Sequence, residues 1–136
     1  MKKLWLMMIL VMGLTVALSW RVEAQEWKTA NQVTVLWDPV TVATGTVSYK
    51  TYYRPASSGP EVFTYVSTIT EVQATITFTL EGRYFLGVRS VRNVDGIEVE
   101  SSTISWSDNP LVCAGGVTFG VQYYIPPSNV GGIRLE

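Results

Sequence analysis

Serines are plentiful in this 136-residue sequence, but it contains no histidine, and that absence limits what their hydroxyls can do. With no imidazole to accept the hydroxyl proton, a Ser-His-Asp relay cannot form, and no Ser-x-x-Lys pair offers a substitute. The commonest metal ligand and neutral-pH general base is missing for the same reason. Glu98 and Glu100 stand two apart, so on a strand they share a face and could in principle divide acid and base work. A solvated face of a strand accounts for them better. No EF-hand loop, zinc-ligand spacing, phosphate-binding loop or dinucleotide fingerprint is present. The sequence therefore reads as a non-enzyme, with no catalytic, cofactor-binding or metal-ligating residues. Cys113 is the single cysteine, so no internal disulfide can form. It is either a small apolar residue in a turn or a free thiol that pairs with another chain.

What remains is surface recognition by aromatic and cationic side chains. Side chains alternate between the two faces of a strand. If Tyr49, Thr51 and Tyr53 point inward, Lys50, Tyr52 and Arg54 point outward. If Tyr84, Leu86 and Val88 point inward, Phe85, Gly87, Arg89 and Val91 point outward. Tyr, Phe and Arg are enriched at contact surfaces, which makes Lys50, Tyr52, Arg54, Phe85 and Arg89 a candidate contact surface. The competing reading has these side chains covering one another, with guanidinium groups lying on rings. Trp37, Tyr49 and Tyr84 are the candidate core anchors.

The elements that would hold these residues are strands. Val33, Val35 and Trp37 fall on one face of 33–37, and Ile76, Phe78 and Leu80 on one face of 75–80, with threonines opposite. Asp38-Pro39, the stretch Pro55 to Pro60, and Asp95-Gly96 supply turns. Residues 80–106 read as two long antiparallel strands about Asp95-Gly96. No helical stretch is expected beyond the N-terminal segment. Short strands separated by turns argue an all-β sandwich. Beyond Ser107-Asp108-Asn109-Pro110 the pattern resumes: in 117–125 Val, Phe, Val, Tyr and Ile alternate onto one side, predicting a tail strand that covers an exposed edge.

In this order and spacing, Trp37, Tyr49, Tyr53, Leu80, Tyr84, Leu86, Val88, Ser90 and the Gly96, Glu100, Ser101 set resemble a fibronectin type III domain, of the short kind found in bacterial secreted proteins. The match covers about residues 31–107. It departs from the family in a poorly specified first strand at Glu26–Ala30 and in lacking the proline between the leucine and the tyrosine. The resemblance implies a two-sheet antiparallel immunoglobulin-like sandwich, with Trp37 packed in the core and Tyr84 at a corner.

The first 24 residues read as a signal peptide. Met1-Lys2-Lys3 is basic, residues 4–20 are uncharged, and Val22-Glu23-Ala24 offers small residues for cleavage. An uncleaved membrane anchor is the alternative. The resulting division is a signal peptide at 1–24, a sandwich at 25–107 and a tail at 108–136, with a secreted or periplasmic location. Removing Lys2, Lys3 and Arg21 from the ten basic residues and Glu23 from the eleven acidic ones leaves a net charge near −3, which argues against nucleic acid as a partner. The expected function is a protein-contact module for a protein or cell-surface ligand. The alternatives are a structural subunit assembling by strand addition through its tail, and a carbohydrate-binding module that stacks Tyr52 and Phe85 on sugar rings.

Overall fold

The computed structural model describes residues 25–136; the expected signal peptide or anchor at residues 1–24 lies outside the described residues. In chain order the strands are β1 (Glu26–Thr29), β2 (Gln32–Leu36), β3 (Thr46–Pro55), β4 (Thr64–Ile69), β5 (Gln73–Thr77), β6 (Gly82–Val94), β7 (Ile97–Glu100), β8 (Ser105–Trp106) and β9 (Phe119–Tyr123). The described residues contain no α-helix, only a single 3-10 turn at Ala114–Gly116. The described residues are all-β and form two sheets. The larger runs β1-β9-β6-β3-β4, with β7 and β8 also paired to β6, and the smaller is the antiparallel pair β2-β5.

The period-2 pattern explains the core between the sheets. Val33 of β2 pairs with Ile76 of β5, and both are buried against Tyr84, Leu86 and Val121 of the large sheet. Phe78 stacks on Tyr84 with ring centroids 4.5 Å apart, and Tyr53 meets both rings edge-on at 5.5 Å. Tyr49 is buried, and its hydroxyl accepts the Val40 N–H at 2.8 Å. The Tyr84 hydroxyl donates to the Leu80 carbonyl at 2.6 Å, tying the turn before β6 back onto the strand. Leu80 itself is exposed. β5 stops at Thr77, so the inward alternation expected through residue 80 ends at Phe78.

Asp95 and Gly96 both have positive φ, 52° and 84°, and join β6 to β7 as a two-residue hairpin turn. The strand after this hairpin is interrupted, in contrast to the single long strand expected there. β7 pairs with Val91–Val94, β8 with Gly87 and Val88, and β9 with Gly82–Tyr84, all on the edge of β6 that β3 leaves free. Residues 107–118 leave that edge as a loop. Its two ends are pinned by Ser107 N–H to Leu86 O at 2.8 Å and Phe119 N–H to Ser107 O at 2.9 Å. β9 lies within the expected 117–125 strand, but it is an interior strand: β1 pairs with its far side in parallel, Glu26 opposite Phe119 through Thr29 opposite Gln122.

Candidate functional site

The outer face of the large sheet carries the aromatic and cationic residues where alternation places them, yet it is covered. Tyr52, Arg54 and Phe85 are only 5%, 4% and 7% exposed. Their cover comes from distant parts of the chain: Trp27 on β1, Trp106 on β8, Ile104, and Phe63 just before β4. Two glycines make the room. Gly87 lies opposite Trp106, and a Cβ there would sit 2.8 Å from the indole and 2.6 Å from Ile104 Cγ2. Gly120 lies opposite Trp27, and a Cβ there would meet the indole at 2.5 Å.

The result is a stacked row across the strands. Arg83 lies 4.8 Å over Trp27, Trp27 meets Phe85 at 5.5 Å, and the Arg54 guanidinium sits 4.8 Å from both Phe85 and Trp106. Ring quadrupoles attract the cation on both faces. Arg54 Nη2 donates to Asp108 Oδ2 at 2.6 Å and Nη1 to the Ser58 carbonyl at 2.9 Å, while its buried Nε has no partner. The other two residues of the candidate surface, Lys50 and Arg89, both pair with Glu100, and Arg89 also donates to the Ser101 carbonyl at 2.9 Å and to the Ser102 carbonyl at 3.2 Å. Lys50, by hydrogen bond and charge, and then Arg89 hold the Glu100 carboxyl below its usual range. The five candidate residues are thus brought together as a second core with a paired rim, and not as a free contact surface. Sequence reading missed Trp27 and Trp106 as their cover; Gly87 and Gly120 were the available signal.

The open feature lies on the other side of β6. Because β1 pairs with β9 in the large sheet, β2 keeps one free edge, and part of the inner face below it has no strand above. A cleft of about 840 Å³ opens there, lined by Val35, Trp37, Leu86, Val88, Ser90 and Cys113 among others. Trp37 is consequently half-buried at the mouth of the cleft, touching Tyr49 edge-on at 5.4 Å, instead of packing in the centre of the core as expected. Its indole Nε1–H is buried and has no acceptor. Cys113 is half-buried and its thiol donates to the Ser107 carbonyl at 3.3 Å; burial first, and the nearby Asp108 charge second, push its pKa up.

The backbone of β2 is asymmetric about this cleft. Trp37 N–H donates to Val72 O, and Asn31 O accepts from Phe78 N–H, so the odd residues of β2 direct their peptide groups toward β5. Those of Thr34 and Leu36 therefore face the free edge, and the Leu36 side chain is 70% exposed. An extended segment laid along this edge could pair with those groups and insert alternate side chains against Val35, Leu86 and Val88.

Among the described residues no group of three or more His, Cys, Asp or Glu is placed to hold a metal ion, and no helix is long and apolar enough to cross a membrane. Compared with known proteins, the chain matches no family model, no curated protein and no solved structure.

Proposed function

We propose that this chain is a non-catalytic, secreted or periplasmic contact module with a sandwich of the fibronectin type III kind, and that it binds an extended peptide segment in the cleft beside β2. The observation that carries this reading is the free edge of β2, where Leu36 is 70% exposed, beside the open cleft. An unpaired edge presents a row of backbone groups for strand addition, and alternate side chains then give specificity. Support for the family reading comes from the Tyr84 hydroxyl bonded back to Leu80, and from the division of strands, β2 with β5 and β3 with β6.

The other readings have less support. Sugar stacking on Tyr52 and Phe85 would require both rings to be uncovered first. Donation of residues 117–125 to a neighbour would require β9 to leave β1 and β6 together.

A display library of random ten-residue peptides, panned against the protein as purified after export, tests the proposal. Enriched peptides should carry apolar residues at every second position. Leu36→Pro removes an N–H from the free edge while leaving the ladder to β5 intact, so it should abolish their binding; Leu36→Ala should not. Enriched peptides that bind Leu36→Pro as tightly as the parent would place the contact elsewhere.

A further inference from the structure

We infer that the peptide held in the cleft carries a cationic side chain, Lys or Arg, at the end that lies beside Asp38. This rests on the cleft reading above and names the chemistry of its ligand. The lining of the cleft changes in character along β2. Val33 belongs to the core with Tyr84 and Leu86, whereas Trp37 touches Tyr49, which pairs with Ser90, so β2 runs over β6 from the Tyr84 end toward the Ser90 end. Ser107 N–H donates to Leu86 O and Phe119 N–H to Ser107 O, which sets Phe119 level with Leu86. Ser101 N–H donates to Ser90 O at 2.9 Å, which sets Ser101 level with Ser90. The near end of the cleft is therefore apolar, with Val35, Leu86 and Phe119, and the far end carries Ser90, Ser101, Thr103 and Asp38.

Asp38 is the single charged residue in that lining, and it belongs to none of the ion pairs among the described residues. The cations of the neighbouring strands are engaged elsewhere. Lys50 and Arg89 pair with Glu100, Arg54 pairs with Asp108, and Arg92 Nε donates to the Thr44 carbonyl at 2.9 Å. The protein thus leaves this carboxylate without a cation of its own.

A strand added to the edge of β2 passes from an apolar floor to one of hydroxyls that ends at a carboxylate. Those oxygens all accept hydrogen bonds, and Lys and Arg bring three and five N–H donors and no acceptor. An acidic side chain at that position would meet Asp38 as a like charge. An apolar one would take water from the hydroxyls and the carboxylate and return no hydrogen bond. The ligand that fits is an extended segment with alternating apolar residues and one cation at the end of that run.

The peptide display library tests this on the exported protein. Peptides enriched on the parent at low ionic strength should carry Lys or Arg at one fixed position beside the apolar alternation. Asp38→Asn keeps the shape of the side chain and removes its charge, so these peptides should bind it about fivefold more weakly. The difference should shrink in about 0.5 M salt, because the pair is partly open to solvent. Panning against Asp38→Lys should instead enrich Asp or Glu at the same position, with the apolar alternation unchanged. A peptide with Ala in place of the cation should bind the parent and Asp38→Asn alike. Enriched peptides that lack a fixed cation, or that bind Asp38→Asn as tightly as the parent, overturn the inference. So does an Ala peptide that loses affinity for Asp38→Asn, since Asp38 would then act on the fold and not on the cation. If apolar peptides still bind in a Leu36-dependent way in any of these cases, the cleft reading stands and only the charge of the ligand is wrong. If binding also ignores Leu36→Pro, the cleft reading falls with it.

Discussion

Arg54 shows how a charged residue becomes part of a core. Its guanidinium lies between Phe85 and Trp106 and is paired with Asp108, whose side chain is about one-third exposed. Removing one partner of a buried pair costs about 3–5 kcal/mol, and the partial exposure of Asp108 lowers this. Arg54→Ala is therefore expected to lose about 2–4 kcal/mol in urea unfolding, with lost ring packing included. A loss under about 0.5 kcal/mol, the scale of ordinary surface changes, would mean that the outer face is not a core. Cys113 yields a pH prediction at the same scale. Burial and Asp108 favour the neutral thiol in the folded state, so its folded pKa lies above its unfolded one. The associated stability is fully present below the unfolded value and is lost as pH rises through the folded one. Iodoacetamide should accordingly modify Cys113 more slowly in the native protein than in urea at the same mildly alkaline pH, and equal rates would contradict the assignment.

At the scale of elements, β9 holds the most consequential position, between β6 and β1. Its amides should exchange slowly with solvent, and deleting residues 111–136 should strip β1 of its partner and remove Val121 from the core, lowering the unfolding midpoint. Fast exchange from Phe119 to Tyr123 would show that the strand is not docked. Much of this was legible in local pattern. Val33, Val35, Ile76 and Phe78 alternate cleanly because each covers the same core, and Asp95-Gly96 marks its turn because both residues tolerate positive φ. The pairing of β1 was not legible, since Glu26–Thr29 is a short edge strand that buries no residue fully and so has no alternation to read. Nor was the covering of Tyr52 and Phe85: period assigns the face correctly, but whether that face is wet depends on Trp27 and Trp106, which arrive from far away in sequence. The cleft was illegible for a related reason, because it exists only where a strand has gone to the other sheet.

For the whole molecule, that choice of sheet sets an imbalance: seven strands on one side and two on the other, so both strands of the smaller sheet are edges. The larger sheet is stabilised on both faces, by the inter-sheet core and by the arginine–aromatic row, while the smaller one depends on one face alone. Opening should therefore begin at β2-β5, and amide exchange there should be faster than in β3 and β6; the reverse order would contradict this assignment. The parallel pairing of β1 with β9 also has a consequence in time. Thr29 and Gln122, 93 residues apart, are hydrogen-bonded side chain to side chain at 2.8 Å, so a strand near the start of the chain must wait for one near its end. Contacts of such long sequence separation slow folding, because loop closure precedes any gain. During synthesis β1 is the first of these strands to be made and the last to find its partner, so Trp27 stays without its cover over Gly120 until the final strand is delivered.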